Sequence, residues 1–100
     1  MPFNQFLPRP FNSGSVSAYA PLASGLYGLS NSHQWVYIGE CDNIRSALLN
    51  HLGNDHTSLM QHEPTGFVFE VCDPAGRPSR QDRLVLEYEP VCNRPSPHPM

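Results

Sequence analysis

The sequence predicts a small α/β domain with helices packed on a sheet of about three strands, mixed or antiparallel. Three observations predict it. The chain has 100 residues, which suits a single domain with a modest core. Two short apolar runs with a tyrosine in each, Gly25-Leu26-Tyr27 and Val36-Tyr37-Ile38-Gly39, read as neighbouring strands. Beyond them the pattern runs helix, strand, helix.

The elements follow in order. Residues 1–24 are rich in Pro, Ser and Asn with scattered Phe3, Phe6, Phe11 and Tyr19. They read as an N-terminal arm whose aromatics pin it across the domain surface, or alternatively as a partner-binding segment. Residues 25–93 form the folded domain. Its first strand covers residues 25–29, Ser30-Asn31-Ser32-His33 supplies turn chemistry, and residues 35–39 return antiparallel. Asp42 is placed to cap a helix over residues 43–52, whose apolar positions Ile44, Ala47, Leu48 and Leu52 share a face. Gly53-Asn54 then stops it. A loop over residues 54–65 has room for one helical turn near Ser58. Residues 66–72 form a strand with Phe67, Phe69 and Val71 on one face and Val68, Glu70 and Cys72 on the other. After the Asp73-Pro74-Ala75-Gly76 turn, Ser79 reads as the cap of a second helix with Asp82 completing a capping box. Leu84, Val85 and Tyr88 face inward until Pro90 ends the helix. Residues 94–100 hold three prolines and read as a disordered tail.

Charge narrows the function. The chain has no lysine, and its six arginines stand against nine acids, for a formal net charge of −3. Binding driven by a phosphate backbone needs several cations, so affinity for nucleic acid is expected to be weak. A local patch at Arg77, Arg80 and Arg83 remains open. Cys41, Cys72 and Cys92 are odd in number and lack the close spacing of a zinc site or disulfide framework. No stretch approaches the ~20 apolar residues of a membrane span, and no signal peptide is legible. A cytoplasmic, reduced location is the expectation, with no membrane partner.

The two tyrosine strings resemble the name-giving motifs of the GIY-YIG nuclease superfamily. Gly25-Leu26-Tyr27 is similar to the first motif and Val36-Tyr37-Ile38-Gly39 to the second. Asp42-Asn43-Ile44 followed by Leu48 and His51 resembles the start of the helix after the second motif. Leu84-Val85 followed by Pro90-Val91-Cys92-Asn93 resembles the closing pattern. The resemblance implies a site with a tyrosine that positions or activates water, an arginine on the phosphate and a glutamate holding one divalent metal. The metal polarises the phosphate, and the cation offsets charge developing on its oxygens.

Position by position, the resemblance places Tyr27, Tyr37 and His51 at site positions. Each also has a structural reading, as a tyrosine or histidine whose polar atoms are satisfied within the fold. The resemblance places the arginine at Ala47 and the metal-binding glutamate at Gln81. Arg45 lies two residues from Ala47, about 200° around a helix, and so points away from the cleft. A cation at a phosphoryl-transfer site is worth ~10³–10⁵ in rate, none of which an alanine supplies. A glutamine oxygen is a poor ligand for a hard dication. Glu40 further reverses charge after the second motif, where the resemblance implies a basic residue.

The expected function is therefore that of a degenerate GIY-YIG-like domain, catalytically inactive, with no cofactor, that binds a protein or a small polar ligand. One alternative is a divergent endonuclease using Mg²⁺ or Mn²⁺, with Asp82 or Glu70 on the metal and Arg80 or Arg83 on the phosphate. Another is a structural or regulatory module that self-associates through its N-terminal arm. Glu70 otherwise reads as the partner of Arg80 or Arg83 in a salt bridge.

Overall fold

The computed structural model describes Phe3, residues 8–54 and residues 57–93. Phe6 of the N-terminal arm and the whole of the 94–100 tail lie outside the described residues. Strand β1 (Arg9–Pro10) is followed by helix α1 (Ser13–Tyr19), strands β2 (Gly25–Ser30) and β3 (Trp35–Cys41), and helix α2 (Ile44–Leu52). Then come the short helix α3 (Ser58–Gln61), strand β4 (Gly66–Val71), helix α4 (Arg77–Tyr88) and a 3₁₀ turn at Val91–Asn93. The sheet has four strands in the order β1-β4-β2-β3, every neighbouring pair antiparallel. The α/β class, the antiparallel pairing of the tyrosine strands and the flanking helices agree with the sequence.

The extra strand comes from the N-terminal segment. Arg9 and Pro10 pair with Phe67 and Gly66, and the Phe11 amide donates to the Thr65 carbonyl at 2.9 Å. Two residues give no periodicity to read, and a proline is tolerated because the strand lies at the sheet edge. Next, α1 is seven residues long and contains three serines and a glycine, a composition with little intrinsic helix preference. Packing holds it: Val16 and Ala20 are fully buried, and Asn12 caps its start by accepting from the Ser15 amide at 2.8 Å. Phe3 and Phe11 are 5% and 8% exposed. These two aromatics of the N-terminal segment pack in the chain's own core, while Tyr19 is exposed.

The pleat divides the sheet into two packed faces. Tyr27, Leu29, Phe67 and Phe69 face α1 and α2 together with Val16, Ile44 and Leu48. Leu26, Ile38 and Val68 face α4 at Leu84, joined by Phe3, Trp35 and Tyr88. Trp35 reaches that second face because Leu29 pairs with Tyr37 while Ser30 pairs with Trp35, which leaves Val36 as an extra residue in β3.

Two caps differ from expectation. Helix α2 is capped by Asn43, which accepts from the Ser46 amide at 3.0 Å, and its first amides donate to Ala23 and Pro21 carbonyls. Asp42 instead accepts from Arg77 at 2.8 Å. Helix α4 begins at Arg77, two residues before Ser79, with no side-chain cap. The preceding turn runs straight into it, the Gly76 and Arg77 amides both donating to the Asp73 carbonyl. Pro78 suits the first turn, where its missing N–H has no intrahelical partner to lose. Asp82 is consequently not a capping residue. The helix ends at Glu89, whose left-handed backbone (φ 49°) lets its amide donate to Val85 at 2.8 Å before Pro90.

Candidate functional site

The pairing of β2 with β3 sets Tyr27 directly across from Gly39. The Tyr27 ring lies over that glycine. A Cβ at position 39 would stand 2.8 Å from both Cζ and Oη of Tyr27 and 2.7 Å from Cε2 of Tyr37. The glycine that closes the second tyrosine string is thus the floor on which both phenols rest. Gly25 has a different reason: a Cβ there would meet the Glu70 carbonyl oxygen of the neighbouring strand at 2.1 Å.

Helix α2 brings the third ring. The Tyr27 hydroxyl lies 2.7 Å from Nε2 of His51. Ring centroids of Tyr27 and His51 are 5.5 Å apart, and each of these rings is 6.0 Å from that of Tyr37. All three residues expected from the sequence therefore converge. Ala47, one turn before His51, lines the same cavity, whose volume is about 230 Å³. Tyr27, Asn50, Asn54 and Thr57 complete its described lining.

Burial fixes the protonation states. Desolvation raises the Tyr27 phenol well above its ordinary value, and the neighbouring Tyr37 and Cys41 add to the effect. Tyr37 is raised chiefly by burial, then by Cys92 and Glu40. Burial lowers His51, so its imidazole is neutral at pH 7. With both partners neutral, the imidazole tautomer sets the direction: the phenol donates to Nε2 when the imidazole proton sits on Nδ1, and Nε2–H donates to the phenol oxygen when it does not. This pair can accept or relay a proton, but it brings no charge to the cavity.

Four of the arginines are engaged elsewhere. Arg45 points to α1, its Nε donating to the Ala20 carbonyl at 2.8 Å. Arg80 grips Glu70 through two bonds of 2.7 and 2.8 Å, which is the salt bridge expected for that glutamate. Arg77 donates to Asp42 and to the Cys41 carbonyl, and its Nε lies 3.3 Å from Glu40. Arg9 stacks over Tyr19 at 4.0 Å.

Gln81 belongs to α4, which packs on the other face of the sheet, and its side chain reaches the outer edge of β3. Its amide donates to the Ile38 carbonyl at 3.2 Å. Asn93 reinforces the same place on the outer strand, accepting from the Ile38 amide at 2.7 Å and donating to its carbonyl at 2.9 Å. Gln81 and Asn93 also line an open groove of about 470 Å³ with Asp82, Val85 and Leu86. Asp82 is the one carboxylate of that described lining. Among the described residues no group of three or more His, Cys, Asp or Glu is placed to share a metal ion. The donors around Gln81 are two neutral amides and a single carboxylate, a set that does not fit a hard dication.

Asn50, Asn54 and Thr57 were not singled out from sequence. The signal was present, since Ala47, Asn50, His51 and Asn54 recur at three- and four-residue intervals and so share one face of α2 and its continuation.

No family model matches the chain, and no curated protein matches it. Solved structures do. The magnesium-bound GIY-YIG N-terminal endonuclease domain of UvrC from Thermotoga maritima is 22% identical, with a TM-score of 0.64 over 76% of this chain and 89% of that one. Two tyrosine-to-phenylalanine point mutants of the same domain, each bound to the catalytic divalent cation, are 21% identical with TM-scores of 0.65 and 0.64, over 77% of this chain and 89% of theirs. The two tyrosine strands, the helix that follows them and the closing helix thus compose the fold of the GIY-YIG endonuclease domain.

Proposed function

We propose that this domain uses the GIY-YIG scaffold to bind a ligand and does not cut phosphodiesters. The observation that carries the reading is the engagement of Gln81 with the Ile38 carbonyl. Only a donor can make that bond. A glutamate at the same place would set a carboxylate against carbonyl lone pairs, an arrangement that needs a cation between them. Ala47 supports the same reading, because it presents a methyl group to the Tyr27–His51 cavity at the position where the resemblance implies an arginine. No divalent metal is required for the proposed role. With a net charge of −3 and no lysine, a protein or a small polar ligand is the partner favoured over nucleic acid.

The alternative, a divergent metal-dependent nuclease, is worth testing because the solved relatives hold a divalent cation. Glu70 and Arg80 neutralise each other, which leaves Asp82 and Arg83 as its candidates. The purified protein is incubated with supercoiled, single-stranded and branched DNA in Mg²⁺ or Mn²⁺. No product is expected. Metal-dependent cleavage that disappears in Tyr27→Phe overturns the proposal.

A further inference from the structure

We infer that the Tyr27–His51 cavity takes a neutral, planar heterocycle with an amide-like edge, about the size of one pyrimidine ring. This rests on the binding reading above and names the ligand class for that site. Size sets the first limit. A volume of about 230 Å³ lies below the ~300–1,000 Å³ of pockets for drug-sized ligands, which leaves room for a single small ring with its substituents.

Charge sets the second limit. The described lining is a phenol, an imidazole, two carboxamides, a hydroxyl and a methyl. Burial keeps the phenol protonated and the imidazole neutral. An entering phosphate or carboxylate would lose its hydration and meet no cation in this lining, since Arg45, the nearest arginine in sequence, is turned to the Ala20 carbonyl. An entering ammonium would meet no carboxylate among the described lining residues. A neutral ligand avoids both costs.

Hydrogen bonding and shape set the third. Asn50 on α2 and Asn54 just beyond its end both line the cavity, each carboxamide having a carbonyl acceptor and N–H donors, the pattern that complements an amide edge. Thr57 is already occupied, accepting from the Met60 amide and donating to the Asn54 carbonyl, so it shapes the rim rather than reading the ligand. The rings of Tyr27 and His51 give the opposite wall an aromatic character suited to a flat partner.

The test titrates uracil and, separately, dimethyl phosphate with and without Mg²⁺ into the isotope-labelled full chain, followed by NMR. Uracil is expected to shift the Ala47, Asn50 and His51 amides saturably, with a Kd on the order of 1 mM for so small a ligand. Dimethyl phosphate should leave them unmoved. Asn50→Ala, on an exposed helix position, should weaken uracil about tenfold, as for one lost hydrogen-bonded partner. Ala47→Arg should abolish the uracil response and create one to dimethyl phosphate; should that variant not fold, Asn50→Ala still decides. No saturable response to either probe overturns the ligand class and leaves the binding reading standing. A wild-type response to dimethyl phosphate that appears only with Mg²⁺ overturns both.

Discussion

Replacing Gly39 by alanine tests the central geometry, because the new methyl group has nowhere to go. Its contacts at 2.7–2.8 Å fall about 0.6 Å short of the 3.4 Å at which ordinary contact begins. The Tyr37 ring is half-buried, but Tyr27 is only 5% exposed and is tied to His51, so neither phenol can yield freely. Overpacking of this kind costs about 1–3 kcal/mol. Displacing Tyr27 from His51 adds about 1 kcal/mol for the hydrogen bond. Against this, alanine restricts the unfolded chain and returns about 0.4–1 kcal/mol. The net expectation is a loss of about 1–3 kcal/mol. For a domain of this size that lowers Tm by roughly 4–8 °C per kcal/mol. Urea unfolding measures the loss from the midpoint at constant m. A second readout is local: with its cover opened, His51 should titrate closer to its ordinary 6.5, seen by NMR. In a Tyr27→Phe background the same substitution should cost about 1 kcal/mol less, since the hydroxyl contact and the hydrogen bond are already gone. A Gly39→Ala protein that is more stable than wild type, with His51 unchanged, would refute the reasoning.

His51 has a lowered folded-state pKa, so between that value and 6.5 the unfolded chain binds a proton that the native chain does not. Stability should therefore be full above pH 6.5 and fall as the pH drops below it; denaturation midpoints across this range should lose most of that slope in His51→Gln. Asn93→Ala removes both side-chain bonds to Ile38 and leaves that strand's amide without its partner, at an expected cost of about 1–3 kcal/mol in urea unfolding. Glu89 sits at φ 49°, where a side chain is strained and glycine is not. Glu89→Gly should raise stability by about 0.5–1 kcal/mol, and a loss of stability would show that the Glu89 side chain contributes more than its backbone costs.

Much of the fold was legible because its strands carry strong local patterns. Phe67 and Phe69 lie in one core and Val68 and Cys72 in the other, as the alternation over residues 66–72 predicts, although the strand ends at Val71, which is exposed. The helix ends were less legible. Asp42 and Ser79 are good capping residues by type, but the preceding segments deliver the chain so that Asn43 caps α2 and the Asp73 turn feeds α4 directly. Arg77 then draws Asp42 into an ion pair that no local rule foresees. The strand at Arg9–Pro10 and the helix after it exist through their partners: Phe67 and Gly66 for one, the α2 surface for the other.

The candidate site divides along the same line. Sequence alone determined which residues were in question, because Tyr27, Tyr37 and His51 stand in recognisable strings and Ala47 and Gln81 stand where a cation and a carboxylate were implied. It also determined the sparse positive charge. The tertiary structure decided what those residues do to one another: the phenol and imidazole meet at 2.7 Å, Arg45 turns to α1, and Gln81 binds a carbonyl at the outer edge of β3. Residue type is written locally, whereas protonation state and hydrogen-bond role depend on burial and on groups brought from distant parts of the chain, and these exist only once the sheet has formed.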